Sequence, residues 1–170
     1  NKAQKVKNKP VYNLVVQDRR QKTKLPNGKD LHDFANLYFN ARNAMMFSLK
    51  EAHEELCVLV INPKILNVAE VMLSDRNASS SFVRFYSVTE IHRLNESLIF
   101  NKDWRHEDYY EYRKQRSMTC AEVLVPTFVP SAFIEKIYVS NEETCKKIKS
   151  SLEENSLSIK VEINKEIFFQ

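Results

Sequence analysis

Two charged residues in apolar surroundings are the first candidates for chemistry in this sequence. Residues 36–47 read NLYFNARNAMMF, which places Arg42 between asparagines and alanines, with aromatic residues on both sides. A guanidinium is always ionised, and burying it without a partner is very costly. Arg42 therefore needs either an internal carboxylate or the anion of a ligand, such as a phosphate.

The second candidate is Glu122, which lies in the apolar run CAEVLVP at residues 120–126. Side chains alternate between the two faces of a β-strand, so Glu122 shares a face with Cys120 and Leu124. A carboxylate in such a strand faces solvent, pairs with a base or lines a cleft. The strand alone leaves two alternatives open, a surface ion pair on an edge strand and a functional carboxylate.

The composition limits the class of protein. A chain of 170 residues with 43% hydrophobic and 28% charged residues fits one soluble globular domain. Three cysteines without paired spacing argue against a disulfide framework and favour a reducing, cytoplasmic setting. No cysteine or histidine spacing is typical of zinc, and the apolar runs are strand-sized, so neither a metal site nor a membrane span is predicted.

The single glycine excludes the glycine-rich loops that cradle phosphates in many nucleotide-binding proteins. Gly28 lies in LPNGKD, a turn sequence in which Asn-Gly suits positive φ. If this chain binds a nucleotide, side chains must hold the phosphates, which again favours arginine.

The positive charge of the chain is concentrated near its start. The formal net charge is +4, and Asp18 is the only acid in residues 1–29. A basic segment of this kind is typical of a nucleic-acid-binding edge, although many such segments are only solvated.

The hydrophobic pattern predicts strands and helices in irregular order, which favours an α+β fold over a doubly wound sheet. Residues 1–30 are expected to be loop-like, and LCVLVI is expected to be a buried internal strand with AEVMLSD as its neighbour. The predicted strands are ANLYF (35–39), LCVLVI (56–61), AEVMLSD (69–75), CAEVLVP (120–126), IEKIYV (134–139) and LSIKVEI (157–163). Helices are predicted from about Val88, over 107–116, and after a capping box formed by Ser140 and Glu143.

Three segments together resemble the DarT family, which comprises NAD-dependent ADP-ribosyltransferases that act on DNA bases. The first is LHDFANLYFNARNAMMF (31–47), and the second is the loop SDRNASSSFVRFY (74–86). The third runs from Trp104 through a charged helix to AEVLVP. Their order and spacing agree with the family. The resemblance implies an ADP-ribosyltransferase-like split central β-sheet with flanking helices, in a single domain over residues 1–170.

The resemblance also implies roles for individual residues. Glu122 stands at the catalytic glutamate of the family, and Arg42 stands at the arginine that lies beside NAD and is needed for activity. Tyr38, Met45 and Met46 lie in the matching wall of the cofactor pocket.

Four arginines are candidates for contacts with DNA. Arg19 and Arg20 resemble a basic pair that precedes the first family strand, on the DNA side. Arg76 and Arg84 both lie in the second family segment, where they contact DNA phosphates or are simply solvated.

The implied protein is a cytoplasmic toxin that transfers ADP-ribose from NAD to a base in single-stranded DNA, without a metal and with a macrodomain antitoxin as its partner. Two alternatives remain open: a non-catalytic module of the same fold that binds single-stranded nucleic acid, and a transferase that acts on RNA or protein. Family members usually begin with a histidine-containing strand that helps to hold nicotinamide. The 170 residues do not include that strand, and the toxin interpretation predicts it upstream of Asn1.

Overall fold

Two separate β-sheets organise the chain, in a computed structural model that describes residues 14–170. The first sheet contains β1 (Phe34–Tyr38), β3 (Met72–Ser74), β4 (Phe85–Ser87) and β5 (Glu122–Pro126), in the antiparallel order β1-β5-β3-β4. The second contains β2 (Cys57–Ile61), β6 (Ile134–Val139) and β7 (Lys160–Ile163), in the order β2-β6-β7. The predicted α+β fold with a split sheet is confirmed.

Helices connect and flank the two sheets. The α-helices are α1 (Leu14–Lys22), α2 (Ala44–Ser48), α3 (Glu96–Ile99), α4 (Tyr109–Met118) and α5 (Glu142–Glu154). Short 3-10 helices cover Leu31–Asp33, Lys50–Glu55, Pro63–Asn67, Val88–Arg93, Ser131–Phe133 and Lys165–Ile167. In the described part of the chain, no helix combines the length and the apolar character that a membrane span requires.

Strand β5 is internal, as predicted, because β1 and β3 pair with its two edges. Its side chains alternate between two apolar clusters. Val123 and Val125 pack with Leu73 in one cluster, whereas Leu124 packs with Phe34 in the other. The alternation that placed Glu122 and Leu124 on the same face is therefore correct.

Strand β2 was correctly predicted as a strand, but the prediction that it is internal and buried is wrong. It lies at the edge of the second sheet, where Cys57 is exposed and Leu59 is 48% exposed. The predicted neighbour is also wrong, because β3 lies in the first sheet. A short apolar run indicates a strand, but the position of that strand in a sheet depends on partners that are distant in sequence.

The first 30 residues are not loop-like throughout, because residues 14–22 form helix α1. The remainder of the predicted loop, residues 1–13, lies outside the described residues. Helix α1 has almost no apolar face, so hydrophobic periodicity could not reveal it.

One of the two predicted capping boxes is present. Ser87 and Glu90 form it at the start of a 3-10 helix. At α5 the cap is one residue later than predicted, because Asn141, and not Ser140, accepts a hydrogen bond from the backbone N–H of Thr144.

Gly28 provides a first test of the fold. Its φ is +81°, and an added Cβ would meet nothing within 4 Å, so substitution by alanine would cost backbone energy alone. We expect Gly28→Ala to lower the free energy of unfolding by about 1–2 kcal/mol. Gly28→Asn should cost less, because asparagine tolerates this conformation. Urea denaturation measures both values, and an alanine variant as stable as the wild type would contradict this interpretation of the turn.

Candidate active site

Glu122 is the first residue of β5, and its side chain is completely buried. Its Oε1 accepts a hydrogen bond from the backbone N–H of Ala78 at 2.8 Å and another from Nη1 of Arg20 at 3.2 Å. Its Oε2 accepts a hydrogen bond from Nη2 of Arg20 at 3.0 Å. The glutamate is therefore part of an ion pair, but this pair lies in the interior and not on an edge strand at the surface.

The neighbouring strands fix the position of Glu122. In the ladder of the first sheet, Glu122 lies between Tyr38 of β1 and Ser74 of β3. Its backbone N–H donates to Oγ of Ser74 at 3.2 Å, and the same hydroxyl donates to the carbonyl oxygen of Arg76 at 2.7 Å. Ser74 thus holds both the strand of the glutamate and the beginning of the loop that supplies Ala78.

Arg20 reaches Glu122 from helix α1, and sequence reasoning missed this pairing. The residue is only 9% exposed, whereas its neighbour Arg19 is exposed. In the structure the guanidinium of Arg20 is paired with the carboxylate. The contact between Arg20 and DNA stays a prediction. The sequence feature that could have drawn attention to Arg20 is the pair of adjacent arginines ahead of the first strand.

Tyr38 and Met45, two of the predicted cofactor-pocket residues, lie in contact. The hydroxyl of Tyr38 donates to the sulfur of Met45 at 3.1 Å. Burial raises the pKa of Tyr38, as do the negative charge of Glu122 and, to a smaller extent, Cys120; Arg20 opposes the shift. The phenol is therefore neutral at physiological pH. Met45 is 38% exposed and Met46 is half-buried, so both can contribute to a wall.

Two asparagines build the turn that carries Arg42. The side chain of Asn40 accepts the backbone N–H of Arg42 at 2.9 Å, and Nδ2 of Asn43 donates to the carbonyl oxygen of Asn40 at 2.7 Å. Asn43 also caps α2 by accepting the backbone N–H groups of Met45 and Met46. The local structure of this turn therefore explains the presence of asparagines on either side of Arg42.

The guanidinium of Arg42 contacts residues 166–169 and not an internal carboxylate. Its Nη1 donates to the carbonyl oxygens of Glu166 at 3.0 Å and Phe168 at 2.6 Å. Its Cζ lies 4.0 Å from the ring centroid of Phe169. Among the described residues, no carboxylate oxygen lies within ion-pair distance of Arg42. The structure therefore does not contain the internal carboxylate that was one of the two possible partners for this arginine.

One side-chain cluster connects the surroundings of the two candidate residues. Ala44, Trp104 and Cys120 form its buried part, and Tyr38 and Phe169 pack against them. Tyr38 is paired with Glu122 across the ladder, and Phe169 stacks on Arg42. The glutamate and the arginine are thus linked through a single set of contacts.

The other candidate DNA contacts differ in accessibility. Arg19 and Arg84 are exposed. The side chain of Arg76 is only 15% exposed and pairs with Asp75 at 3.0 Å. Of the four arginines proposed to contact DNA, Arg19 and Arg84 are therefore the two that are free to reach a phosphate without losing a buried partner.

An open cavity lies beside the arginine and not over the glutamate, which has no exposed surface. Its volume is about 310 Å³, and it is lined by Phe47, Lys102, Asp103, Trp104, Arg105 and Phe169. Arg105 holds the pKa of Asp103 near 2 by hydrogen bonding, so this acid is ionised over the physiological range. Three aromatic rings therefore line the cavity together with Lys102 and the ion pair of Arg105 with Asp103.

The geometry defines the class of protein. A split sheet, a buried glutamate at the start of an internal strand and an arginine in the turn before a short helix give an α+β fold of the ADP-ribosyltransferase type.

The family follows from comparison with known proteins. The family model described as "ssDNA thymidine ADP-ribosyltransferase, DarT" matches residues 1–169, and the chain belongs to this family. A curated relative from Thermosipho africanus (strain H17ap60334), described as a DNA ADP-ribosyl transferase–DNA ADP-ribosyl glycohydrolase fusion protein, is 30% identical over 162 residues. The match covers 92% of this chain and 40% of that relative, so the chain spans well under half of the fusion protein.

Solved structures of two similar proteins share the fold. DarT of Thermus sp. 2.9, in complex with ADP-ribosylated ssDNA, gives a TM-score of 0.85 at 23% identity and covers 96% of this chain and 82% of its own. DarTG of Thermosipho africanus, in complex with ADP-ribose, gives a TM-score of 0.80 at 28% identity and covers 93% of this chain and 42% of its own. The fold predicted from sequence is therefore found in proteins that carry these ligands.

Proposed function

We propose that this chain is an NAD-dependent transferase that attaches ADP-ribose to a base in single-stranded DNA. The observation that carries the proposal is the buried glutamate, Glu122, held in one orientation by two atoms of Arg20 and by the N–H of Ala78. Family membership supports the reaction, and the family description names thymidine, so we propose thymine as the target base. NAD as co-substrate is supported by the Thermus DarT structure in complex with NAD⁺.

Glu122 is proposed to act on the ribose next to nicotinamide. The transfer breaks the bond between ribose C1′ and nicotinamide and places positive charge on the sugar ring, which a fixed carboxylate stabilises. An ionised carboxylate offers about four acceptor positions, and Arg20 and Ala78 use three of them. The fourth, on Oε2, is suited to a ribose hydroxyl. Because Glu122 is fully buried, the residues that cover it must move when the ribose arrives.

Arg42 is proposed to hold the diphosphate of NAD or to orient the attacking base. A planar guanidinium can form two parallel hydrogen bonds to phosphate oxygens, which fixes both distance and direction. Tyr38, Met45 and Met46 are proposed as the wall of the same pocket, as the family resemblance implies. In the described part of the chain, no group of three His, Cys, Asp or Glu side chains could hold a metal ion.

A macrodomain antitoxin that removes the modification is the proposed partner. The Thermosipho relative supports this pairing, because its name joins a DNA ADP-ribosyl transferase to a DNA ADP-ribosyl glycohydrolase. A transferase that consumes NAD and damages DNA is a toxin in the cell that makes it, and we place it in the cytoplasm, where both substrates occur.

The proposed activity can be tested directly with the full-length protein. The protein is incubated with NAD labelled in its adenylate part and with single-stranded DNA, duplex DNA, RNA and a protein mixture. We expect the label on single-stranded DNA that contains thymidine, and not on an oligonucleotide in which every thymidine is replaced. Labelling of RNA or protein alone would favour the alternative transferase, and DNA binding without labelling would favour the non-catalytic module.

The proposed DNA contacts predict how binding depends on salt. Each phosphate contact steepens the fall of log affinity with log salt by about 0.7 on single strands, so replacing Arg19 and Arg84 together by glutamine should reduce the slope by about 1.4. Fluorescence anisotropy at several salt concentrations measures it. The matched control replaces Lys146 and Lys149, two exposed lysines of α5, by glutamine. An equal change in both double variants would show that only net charge matters and would refute the two contacts.

A further inference from the structure

The residues after the last strand form a clamp on Arg42. Strand β7 ends at Ile163, and the chain then passes through the 3-10 helix Lys165–Ile167 to Phe168 and Phe169. We call residues 165–169 the C-terminal clamp. They lie outside the three segments that resemble the family, although the family model extends to residue 169.

The contacts of the clamp with Arg42 restrict the guanidinium in two ways. Both hydrogens of Nη1 are directed at carbonyl oxygens, of Glu166 at 3.0 Å and of Phe168 at 2.6 Å. One flat face is covered by the ring of Phe169, whose centroid lies 4.0 Å from Cζ. A guanidinium has five N–H donors, so these two bonds leave three: the Nε–H and one Nη2–H, which lie along one edge, and the second Nη2–H at the end of the group.

The clamp is itself well anchored. Phe168 is 2% exposed, and the N–H of Asn164 donates to the carbonyl oxygen of Val139 at 2.9 Å, which ties the clamp to the second sheet. The ring of Phe169 packs edge to face against Phe47 at 5.2 Å and against Trp104 at 5.8 Å between centroids. The orientation of the Phe169 ring is therefore fixed by its neighbours, and Arg42 stacks on a ring that does not move freely.

We propose that the C-terminal clamp preorganises Arg42 and that Phe169 is a positioning residue for the binding of an anionic ligand. The two carbonyl oxygens occupy the hydrogens of Nη1, and the ring of Phe169 fixes the orientation of the guanidinium plane. The edge with Nε and Nη2 is then presented to two oxygens of one diphosphate. Because the side chain is already ordered, the ligand does not have to restrict it on binding, and the affinity increases accordingly. This inference rests on the proposed function, which supplies the diphosphate of NAD as the anion.

The test compares three variants of the full-length protein. Phe169→Leu keeps an apolar side chain of similar bulk and removes the aromatic face, Phe169→Tyr keeps the face, and Phe128→Leu is a control at a phenylalanine that is 65% exposed. We expect Phe169→Leu to raise the KM for NAD by about 5- to 30-fold with kcat nearly unchanged, because a cation–π contact of this kind is lost. Phe169→Tyr and Phe128→Leu should both behave as the wild type. Equal KM values in all variants would overturn the proposal.

A second measurement separates positioning from structural support and does not require activity. Phenylglyoxal modifies accessible arginines, and mass spectrometry of the digested protein reports the rate at Arg42. We expect this rate to rise about fivefold or more in Phe169→Leu, in line with a lost stacking contact, while Tm changes little. An unchanged rate, or a fall in Tm of the same size in Phe169→Leu and Phe169→Tyr, would overturn the proposal. If the wild type transfers no ADP-ribose, the proposed function fails, and the rate at Arg42 still decides whether the clamp exists.

Discussion

Replacing Glu122 by glutamine is expected to lower the rate of ADP-ribose transfer by about 10²–10³-fold, the range seen when one preorganised charge-stabilising group is removed. The amide keeps the shape of the side chain and one acceptor oxygen for the N–H of Ala78, but it loses the negative charge that, in the proposed mechanism, stabilises the developing positive charge on the ribose. The affinity for NAD should change much less, because the charge acts mainly in the transition state. Single-turnover labelling of DNA and a separate NAD titration measure the two effects.

The matched control is Glu153→Gln, which makes the same substitution at an exposed position of α5. It should label DNA at the wild-type rate. A Glu122→Gln protein that remains folded and labels DNA at nearly the wild-type rate would show that this carboxylate is not catalytic, and its burial with Arg20 would then be a structural feature only.

Removing Arg20 is expected to have the largest effect on stability. Arg20→Met leaves the carboxylate of Glu122 in the interior without its cation, and breaking a buried ion pair from one side typically costs about 3–5 kcal/mol. For a chain of this length, such a loss corresponds to a fall in Tm of about 6–20 °C. Methionine replaces the aliphatic part of the arginine side chain and removes the guanidinium, so the change reports mainly on the loss of the cation and its hydrogen bonds.

The double variant Arg20→Met, Glu122→Gln should recover most of the lost stability. It contains no unpaired buried charge, and the amide oxygen can still accept the N–H of Ala78. It should nevertheless transfer ADP-ribose no faster than Glu122→Gln, which separates the stabilising role of the pair from the proposed catalytic role of the carboxylate. Thermal unfolding of the wild type, both single variants and the double variant completes the cycle. A double variant less stable than Arg20→Met would contradict a buried ion pair.

Much of the first sheet could be predicted from the sequence because its strands are marked locally. The alternation in AEVLVP placed Val123 and Val125 on one face and Glu122 on the other, and the structure has this arrangement. The edge position of β2 could not be predicted, because its run of apolar residues is similar to that of a buried strand. The run indicates a strand, but the neighbours that leave Leu59 exposed lie far away in the sequence.

The candidate site was found only in part for the same reason. Arg42 and Glu122 were visible as charges in apolar stretches, and the family resemblance gave them roles. Their partners were not visible: Arg20 is 102 residues from Glu122, and Phe168 is 126 residues from Arg42. Contacts at such separations leave no local pattern, and two backbone carbonyls leave no trace in the sequence at all.

The position of the C-terminal clamp has a consequence for the order in which the proposed site is completed during synthesis. Arg42 is added to the growing polypeptide 127 residues before Phe169 (169 − 42 = 127), and ribosomes add about 5–20 residues per second. For about 6–25 s, therefore, each nascent chain contains the arginine but not the carbonyls and the ring that hold it. Until residues 165–169 have been added, a nascent chain therefore contains Arg42 without the contacts proposed to order it, so the proposed anion-binding edge is completed only at a late stage of synthesis.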